Sequence, residues 1–188
     1  MIQPVTDERW RRAQEAEKAF ELEADLSWAR SRDSALFHYL QIDRDQQGRR
    51  IVEIGCGPVP VVAACENVKA WLVEPLRYKS LQDIAASRGF ALFDVQAEVL
   101  SFQGRDEAWL FNTLQHVRDP EVIVANCKQL PIVRFFEPID YPVSEHHPHS
   151  FSLADFRRWF GDCVKEYGEP YRPGFHDGPC AYGVWRNA

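Results

Sequence analysis

The stretch Ile51-Val52-Glu53-Ile54-Gly55-Cys56-Gly57-Pro58 constrains this chain more than any other. A short β-branched run favours a strand. Two glycines one residue apart then supply backbone conformations that a side chain forbids. A strand that runs into a glycine turn and a helix start is how a parallel sheet offers backbone amides to a nucleotide-like ligand. A dinucleotide turn would need a third glycine where this chain has Pro60, so the G-x-G-x-x-G pattern is broken.

Downstream of that stretch, short apolar runs alternate with helical ones. Strands are expected at Ile51–Ile54, Ala70–Val73, Phe90–Val95, Ala108–Phe111 and Ile132–Phe136. Helices are expected at Val61–Cys65, at Lys79–Arg88 before Gly89, and at Pro120–Leu130. Ser152 caps a helix through Trp159, with Asp155 completing a capping box and Gly161 at its end. Val164–Tyr167 and Ala181–Trp185 form a closing antiparallel hairpin. Alternation of this kind implies an α/β, doubly wound, mainly parallel sheet with helices on both faces. Upstream, Thr6 or Asp7 caps a first helix with Trp10, Ala13, Phe20 and Ala24 near one face, and Ser34 caps a second through Leu40. The expected organisation is one domain over 1–188, with a helical cap at 1–47 and the α/β core at 48–188.

Composition narrows the function classes. The 188 residues carry 22 Lys+Arg against 28 Asp+Glu, a formal charge of −6. Nucleic-acid and anionic-membrane surfaces need a positive field, so neither partner is expected. The polar N-terminus has no apolar signal segment, and no run reaches a membrane span. Cys56, Cys65, Cys127, Cys163 and Cys180 are scattered, which suits reduced thiols in a cytoplasmic protein and assigns no metal.

In a doubly wound sheet, ligands bind beyond the carboxyl ends of the strands. The first strand end gives Glu53-Ile54-Gly55-Cys56-Gly57; the second gives Glu74, an acid placed to bond both hydroxyls of a ribose. After the third come Gln96-Ala97-Glu98, where a polar side chain reaches an adenine amine, and the fourth ends in Asn112-Thr113-Leu114-Gln115-His116-Val117-Arg118-Asp119-Pro120. This ordered series resembles the class I S-adenosylmethionine-dependent methyltransferases of the small-molecule type. Glu53–Gly57 is similar to that family's first motif, Leu72-Val73-Glu74-Pro75-Leu76 to its second, and Phe135-Phe136-Glu137-Pro138 and His149-Ser150-Phe151-Ser152 to its later segments.

The resemblance implies a seven-stranded sheet ordered 3-2-1-4-5-7-6 with strand 7 antiparallel, an N-terminal helical cover, and S-adenosyl-L-methionine as cofactor. It places Gly55 and Gly57 at the methionine part, Glu74 at the ribose and Leu76 on the adenine, with Glu53, Cys56 and Pro75 among the cofactor-binding residues. Gln96 and Ala97 fall at the adenine edge and Asn112 faces the methionine moiety, with Thr113, Leu114 and Val117 also cofactor-binding. Two departures are Pro60 in the turn and Gln96 in place of the family's third-strand acid, unless Glu98 serves.

The acceptor is sought elsewhere. His116 is a candidate catalytic base, or a group that shapes the pocket. The proline-stiffened loop after the fifth strand holds Asp140, His146, His147 and His149 as substrate-binding candidates, with His149 as a second candidate base. That loop reads as an acceptor site, as a His–carboxylate metal site, or as solvated histidines with His149 tying the loop down. Trp10, Gln14, Trp28 and His38 are candidates to face the acceptor. The segment after the fourth strand lacks an Asn-Pro-Pro-Tyr-like tetrad, which disfavours methylation of nucleic-acid bases. The expected reaction is methyl transfer to a small-molecule hydroxyl, of a sugar or another metabolite. The alternatives are a non-catalytic S-adenosylmethionine-binding regulatory protein and a nicotinamide-dependent oxidoreductase.

Overall fold

The computed structural model describes residues 2–21, 26–167 and 178–187; the side chains of 20–21, 26–28 and 30–31 lie outside that description. Among the described residues the elements run α1 (Asp7–Glu21), α2 (Leu26–Leu40), β1 (Arg50–Ile54), β2 (Lys69–Val73), α3 (Lys79–Arg88), β3 (Ala91–Phe93) and β4 (Glu107–Phe111). They continue with α4 (Pro120–Cys127), β5 (Ile132–Pro138), α5 (Leu153–Phe160), β6 (Lys165–Tyr167) and β7 (Cys180–Arg186). The sheet is ordered β3-β2-β1-β4-β5-β7-β6. β1 to β5 pair in parallel, and β7 is antiparallel to both β5 and β6. This is the order and polarity expected from the sequence.

The period of two along each strand sorts the core into two layers. Val52, Ile54, Leu110, Val133 and Phe135 pack with Ile123 and Val124 of α4 and Phe156, Trp159 and Phe160 of α5. Ile51, Leu72, Trp109 and Phe136 point the other way, onto Leu36 and Leu40 of α2 and Leu81 and Ala85 of α3. A buried polar knot anchors α2. Glu107 receives the Trp109 indole N–H at 2.6 Å and the Arg134 guanidinium, and Arg134 also donates to the Leu40 carbonyl at the end of α2. Both charges are buried, so removing Glu107 strands Arg134 at a cost of about 3–5 kcal/mol, whereas Glu107 keeps a second partner in Arg49 at 3.5 Å.

Several local expectations change. Ser34 is not an N-cap: α2 begins at Leu26, because Leu36 and Leu40 belong to a longer helix whose earlier turns lack an apolar signature. Thr6 does cap α1, its Oγ1 accepting the Arg9 amide at 3.2 Å. After β1 there is no α-helix, only a 3-10 turn, Val61–Ala64, with Pro60 at its N-cap position. β3 is shorter than the expected Phe90–Val95, and α4 ends at Cys127. The Ser152–Asp155 capping box forms as expected, and Gly161 closes α5 with a φ of +68°. Ala24 and the side chains of Phe20 and Trp28 lie outside the described residues.

Gly183 of β7 sits where a Cβ would come within 2.5 Å of the Cys163 carbonyl and 2.9 Å of the Phe135 ring. Backbone cannot yield there, so Gly183→Ala is expected to destabilise the fold by about 1–3 kcal/mol. Urea unfolding followed by far-UV circular dichroism checks this; an unchanged midpoint contradicts the packing described.

Candidate cofactor and acceptor site

The carboxyl ends of β1, β2 and β4 open into a cavity of about 820 Å³, roofed by α1 and by the loop after β5. Ligand cavities run from ~300 to 1,000 Å³, so this one has room for a nucleoside-sized group and a second molecule. Its floor is set by a seam of hydrogen bonds. Glu137, at the end of β5 and wholly buried, accepts the amides of Thr113 (2.8 Å) and Leu114 (3.1 Å to the nearer oxygen). Thr113 Oγ1 in turn donates to the Ile54 carbonyl at 2.6 Å. The Thr113 side chain thereby fills the space above Gly55, where a Cβ would lie 2.7 Å from its Cγ2. Gly55 and Gly57 both take φ near +61°, so the turn needs glycine for its backbone and, at Gly55, for Thr113.

The Glu53 carboxylate accepts the amides of Val61 and Val62, each at 2.8 Å. It touches the cavity wall, but both of its oxygens serve the turn. Glu74 is buried, with one oxygen taking the Gly57 amide (2.9 Å) and the other the Leu76 amide (3.0 Å). A carboxylate has about four acceptor sites, so these two amides do not by themselves exhaust Glu74. Cys56, Pro75, Leu76, Gln96, Ala97 and Val117 line the cavity as expected, and Asn112 enters it with a φ of +58° while its Oδ1 accepts from Gln115. Glu98 has its carboxylate on the amides of Arg118 (2.8 Å) and Asp119 (3.0 Å), so it holds the segment after β4. Leu114 is brought into the core rather than the cavity; only its amide takes part, through Glu137.

The cavity wall also holds Glu17, His116, His146 and His147. His116 Nδ1 lies 3.6 Å and His146 Nδ1 3.8 Å from Glu17 Oε2. The His116 and His147 rings meet edge to face with centroids 4.7 Å apart, and Tyr141 packs on His147 at 4.8 Å. Trp10 and Gln14 also line the cavity, each donating to the His116 carbonyl (3.1 and 3.2 Å). His149 is a correction. It is buried on Phe151, bonded through Nε2 to the Val117 carbonyl at 3.0 Å, and outside the cavity. Burial pushes its imidazole pKa down, so it is a neutral tie for the loop and not a base for an acceptor. Asp140 is also outside: it is exposed, has a φ of +55° and donates its amide to the Phe151 carbonyl. His38 packs edge to face on Tyr39 and is not among the lining residues.

Sequence reasoning missed Glu17, Arg32, Tyr141 and Ser144 as lining residues. The Trp10, Gln14, Glu17 spacing of four and three is one helical face, and carries the only sequence trace of Glu17's position.

No family model matches the chain, and no curated protein matches it. Solved structures do. The Burkholderia thailandensis 1,6-didemethyltoxoflavin-N1-methyltransferase, with bound 1,6-didemethyltoxoflavin and S-adenosylhomocysteine, aligns over 100% of this chain and 93% of that one, at a TM-score of 0.66 and 11% identity. The N-methyltransferase NodS of Bradyrhizobium japonicum WM9, in complex with S-adenosylhomocysteine, aligns over 96% and 99%, at 0.62 and 13%. The [4+2]-cyclase SpnF aligns over 65% of this chain, which spans half of its length, at 0.51 and 19%. With the strand order above, these likenesses give the chain the class I methyltransferase fold.

Burial raises Glu53 to a pKa of about 7 and Glu137 to about 8, from an ordinary 4.5. The folded chain therefore keeps protons that the unfolded chain releases, and the stability from these two acids falls as pH rises from about 4.5 to about 8. The urea midpoint is expected to drop between pH ~5 and ~8.5, and to drop less in Glu137→Gln. A midpoint that rises across that window contradicts the burial of uncharged acids at the seam.

Proposed function

We propose that the chain binds S-adenosyl-L-methionine and transfers its methyl group to a small-molecule acceptor, at a hydroxyl of a sugar or another metabolite. The carrying observation is one cavity whose wall holds both the Gly57–Glu74 contact and the Glu17–histidine cluster. Glu74 would hold the ribose, Gln96 and Ala97 the adenine edge, and Asn112 with the glycine turn the methionine part. The sulfonium methyl would then point toward the cluster.

The reaction is an in-line displacement. The acceptor oxygen forms a bond to the methyl carbon, the C–S bond breaks, and sulfur keeps the electron pair as S-adenosylhomocysteine leaves. Alignment and exclusion of water supply most of the acceleration, up to ~7–11 kcal/mol. The hydroxyl proton must also leave, and the imidazoles beside Glu17 are the groups within the cavity suited to receive it. The acidic overall charge supports a small acceptor over nucleic acid. No helix among the described residues is long and apolar enough to cross a membrane.

A second reading is a protein that binds the cofactor without transferring the methyl. SpnF favours keeping it in view, since a structure described as a cyclase shares this fold. A nicotinamide dinucleotide is disfavoured by Pro60, which replaces the third glycine of the dinucleotide turn.

Calorimetry separates these readings. S-adenosylhomocysteine is expected to bind and a nicotinamide dinucleotide is not. Glu74→Ala is expected to weaken binding at least about ten-fold, since a charge-assisted hydrogen bond is worth ~1.5–3 kcal/mol. Unchanged affinity removes Glu74 from the ribose. His116→Ala is expected to lower turnover across an acceptor panel while cofactor affinity holds; cofactor binding with no transfer to any acceptor favours the second reading.

A further inference from the structure

The cavity wall brings together three side chains from three separate segments: Glu17 of α1, His116 after β4, and His147 of the loop after β5. One ligand atom from each lies within 4.8 Å of the others. All three are half-buried, on a wall of the cavity rather than on open surface. We propose that Glu17, His116 and His147 form a binding site for one divalent first-row transition-metal ion, of the zinc or iron class, on the wall of the cavity.

The donor set chooses the ion. Two imidazoles with one carboxylate suit zinc, iron, nickel or copper, whereas magnesium and calcium need mostly oxygen donors. Three protein ligands leave a position open to water or substrate, as catalytic sites do and closed structural sites do not.

The surroundings are those of a supported site. Nδ1 of His147 faces Ser144 Oγ at 3.3 Å, which can accept its N–H and leaves Nε2 for the ion. Outer contacts of this kind fix the ring orientation of ligating histidines. The backbone segments are also joined without an ion. Trp10 and Gln14 of α1 donate to the His116 carbonyl, and Arg9 donates to the carbonyls of Ser144 and Glu145 in the histidine loop. The three ligands are thus carried on a scaffold already held together, and drawing their donor atoms from within 4.8 Å to coordination distance asks for side-chain movement alone.

The site also defines an acceptor class. Resting on the methyltransferase reading above, the open position would take the acceptor's own oxygen. A coordinated hydroxyl loses its proton more readily than a free one, and His146, beside Glu17 but outside the ligand set, is the imidazole left to receive it. The resulting oxygen, still held by the ion, would attack the methyl carbon as the C–S bond breaks toward sulfur. This selects acceptors with a hydroxyl that can reach the ion, rather than amines already nucleophilic at neutral pH.

The test is metal binding by the untagged full chain after chelator treatment. Titration with zinc chloride is expected to show one equivalent bound and a higher melting temperature, because the ion joins α1 to the core. Cobalt chloride is expected to give visible d–d absorption that zinc removes. Glu17→Ala and His147→Ala are each expected to weaken zinc binding at least about ten-fold. His38→Ala, outside the cavity, is expected to leave it unchanged. No binding, binding indifferent to the Glu17 and His147 variants, or equal loss in His38→Ala overturns the site. S-adenosylhomocysteine calorimetry and acceptor turnover on the metal-free protein separate the two readings. Methyl transfer without metal binding rejects the ion alone, whereas metal bound at these residues without cofactor binding rejects the methyltransferase reading alone.

Discussion

The buried Glu137 carboxyl group is the contact on which the rest of the site depends. It ties the end of β5 to the amides of Thr113 and Leu114, just past the end of β4. Thr113 then reaches across to the Ile54 carbonyl at the end of β1. Three strand ends are fixed by two side chains. Gly55 must be glycine because Thr113 occupies its Cβ position, and Gly57 is where Glu74 meets the turn. Through the same seam the segment after β4 is held, with Asn112 and His116 both on the cavity wall.

The helical cover is equally built into the site. α1 does not merely shield the sheet: Trp10 and Gln14 bind the His116 carbonyl, and the Val5 amide binds the Arg118 carbonyl at 3.0 Å. The Ile2 amide and the Arg158 and Trp159 side chains converge on Glu121, whose pKa is held down to about 2, first by its bonds to Arg158. The N-terminal segment is therefore bound to the core at α4, at the segment after β4 and, through Arg9, at the histidine loop. The result is a single cavity whose wall carries a cofactor-like set of backbone amides and acids together with a cluster of imidazoles and one carboxylate.

Much of this was legible in the sequence where the cause is local. Strand and helix alternation follows from side-chain period, and the strand order came from the family resemblance. The glycine pair, Glu74 and Gln96 sit at strand ends, so their place follows from the topology. Ser34 misled because a serine followed by apolar residues reads as a cap whether or not the helix has already begun. His149 and Asp140 were not separable from His146 and His147, because which of them faces inward depends on the path of the loop. That path is set by the buried Phe151 and the Val117 carbonyl, which the sequence does not place. Glu17 pairs with residues about a hundred positions away, a contact that no periodicity encodes.

The central claim is that one cavity orients an S-adenosyl cofactor between Glu74 and the Glu17–histidine cluster. A crystal structure of the chain with S-adenosylhomocysteine tests it most directly. The account predicts both ribose hydroxyls within hydrogen-bond distance of Glu74, and the sulfur facing Glu17, His116 and His147. A cofactor bound with its ribose away from Glu74, or with its sulfur turned from the cluster, would contradict it.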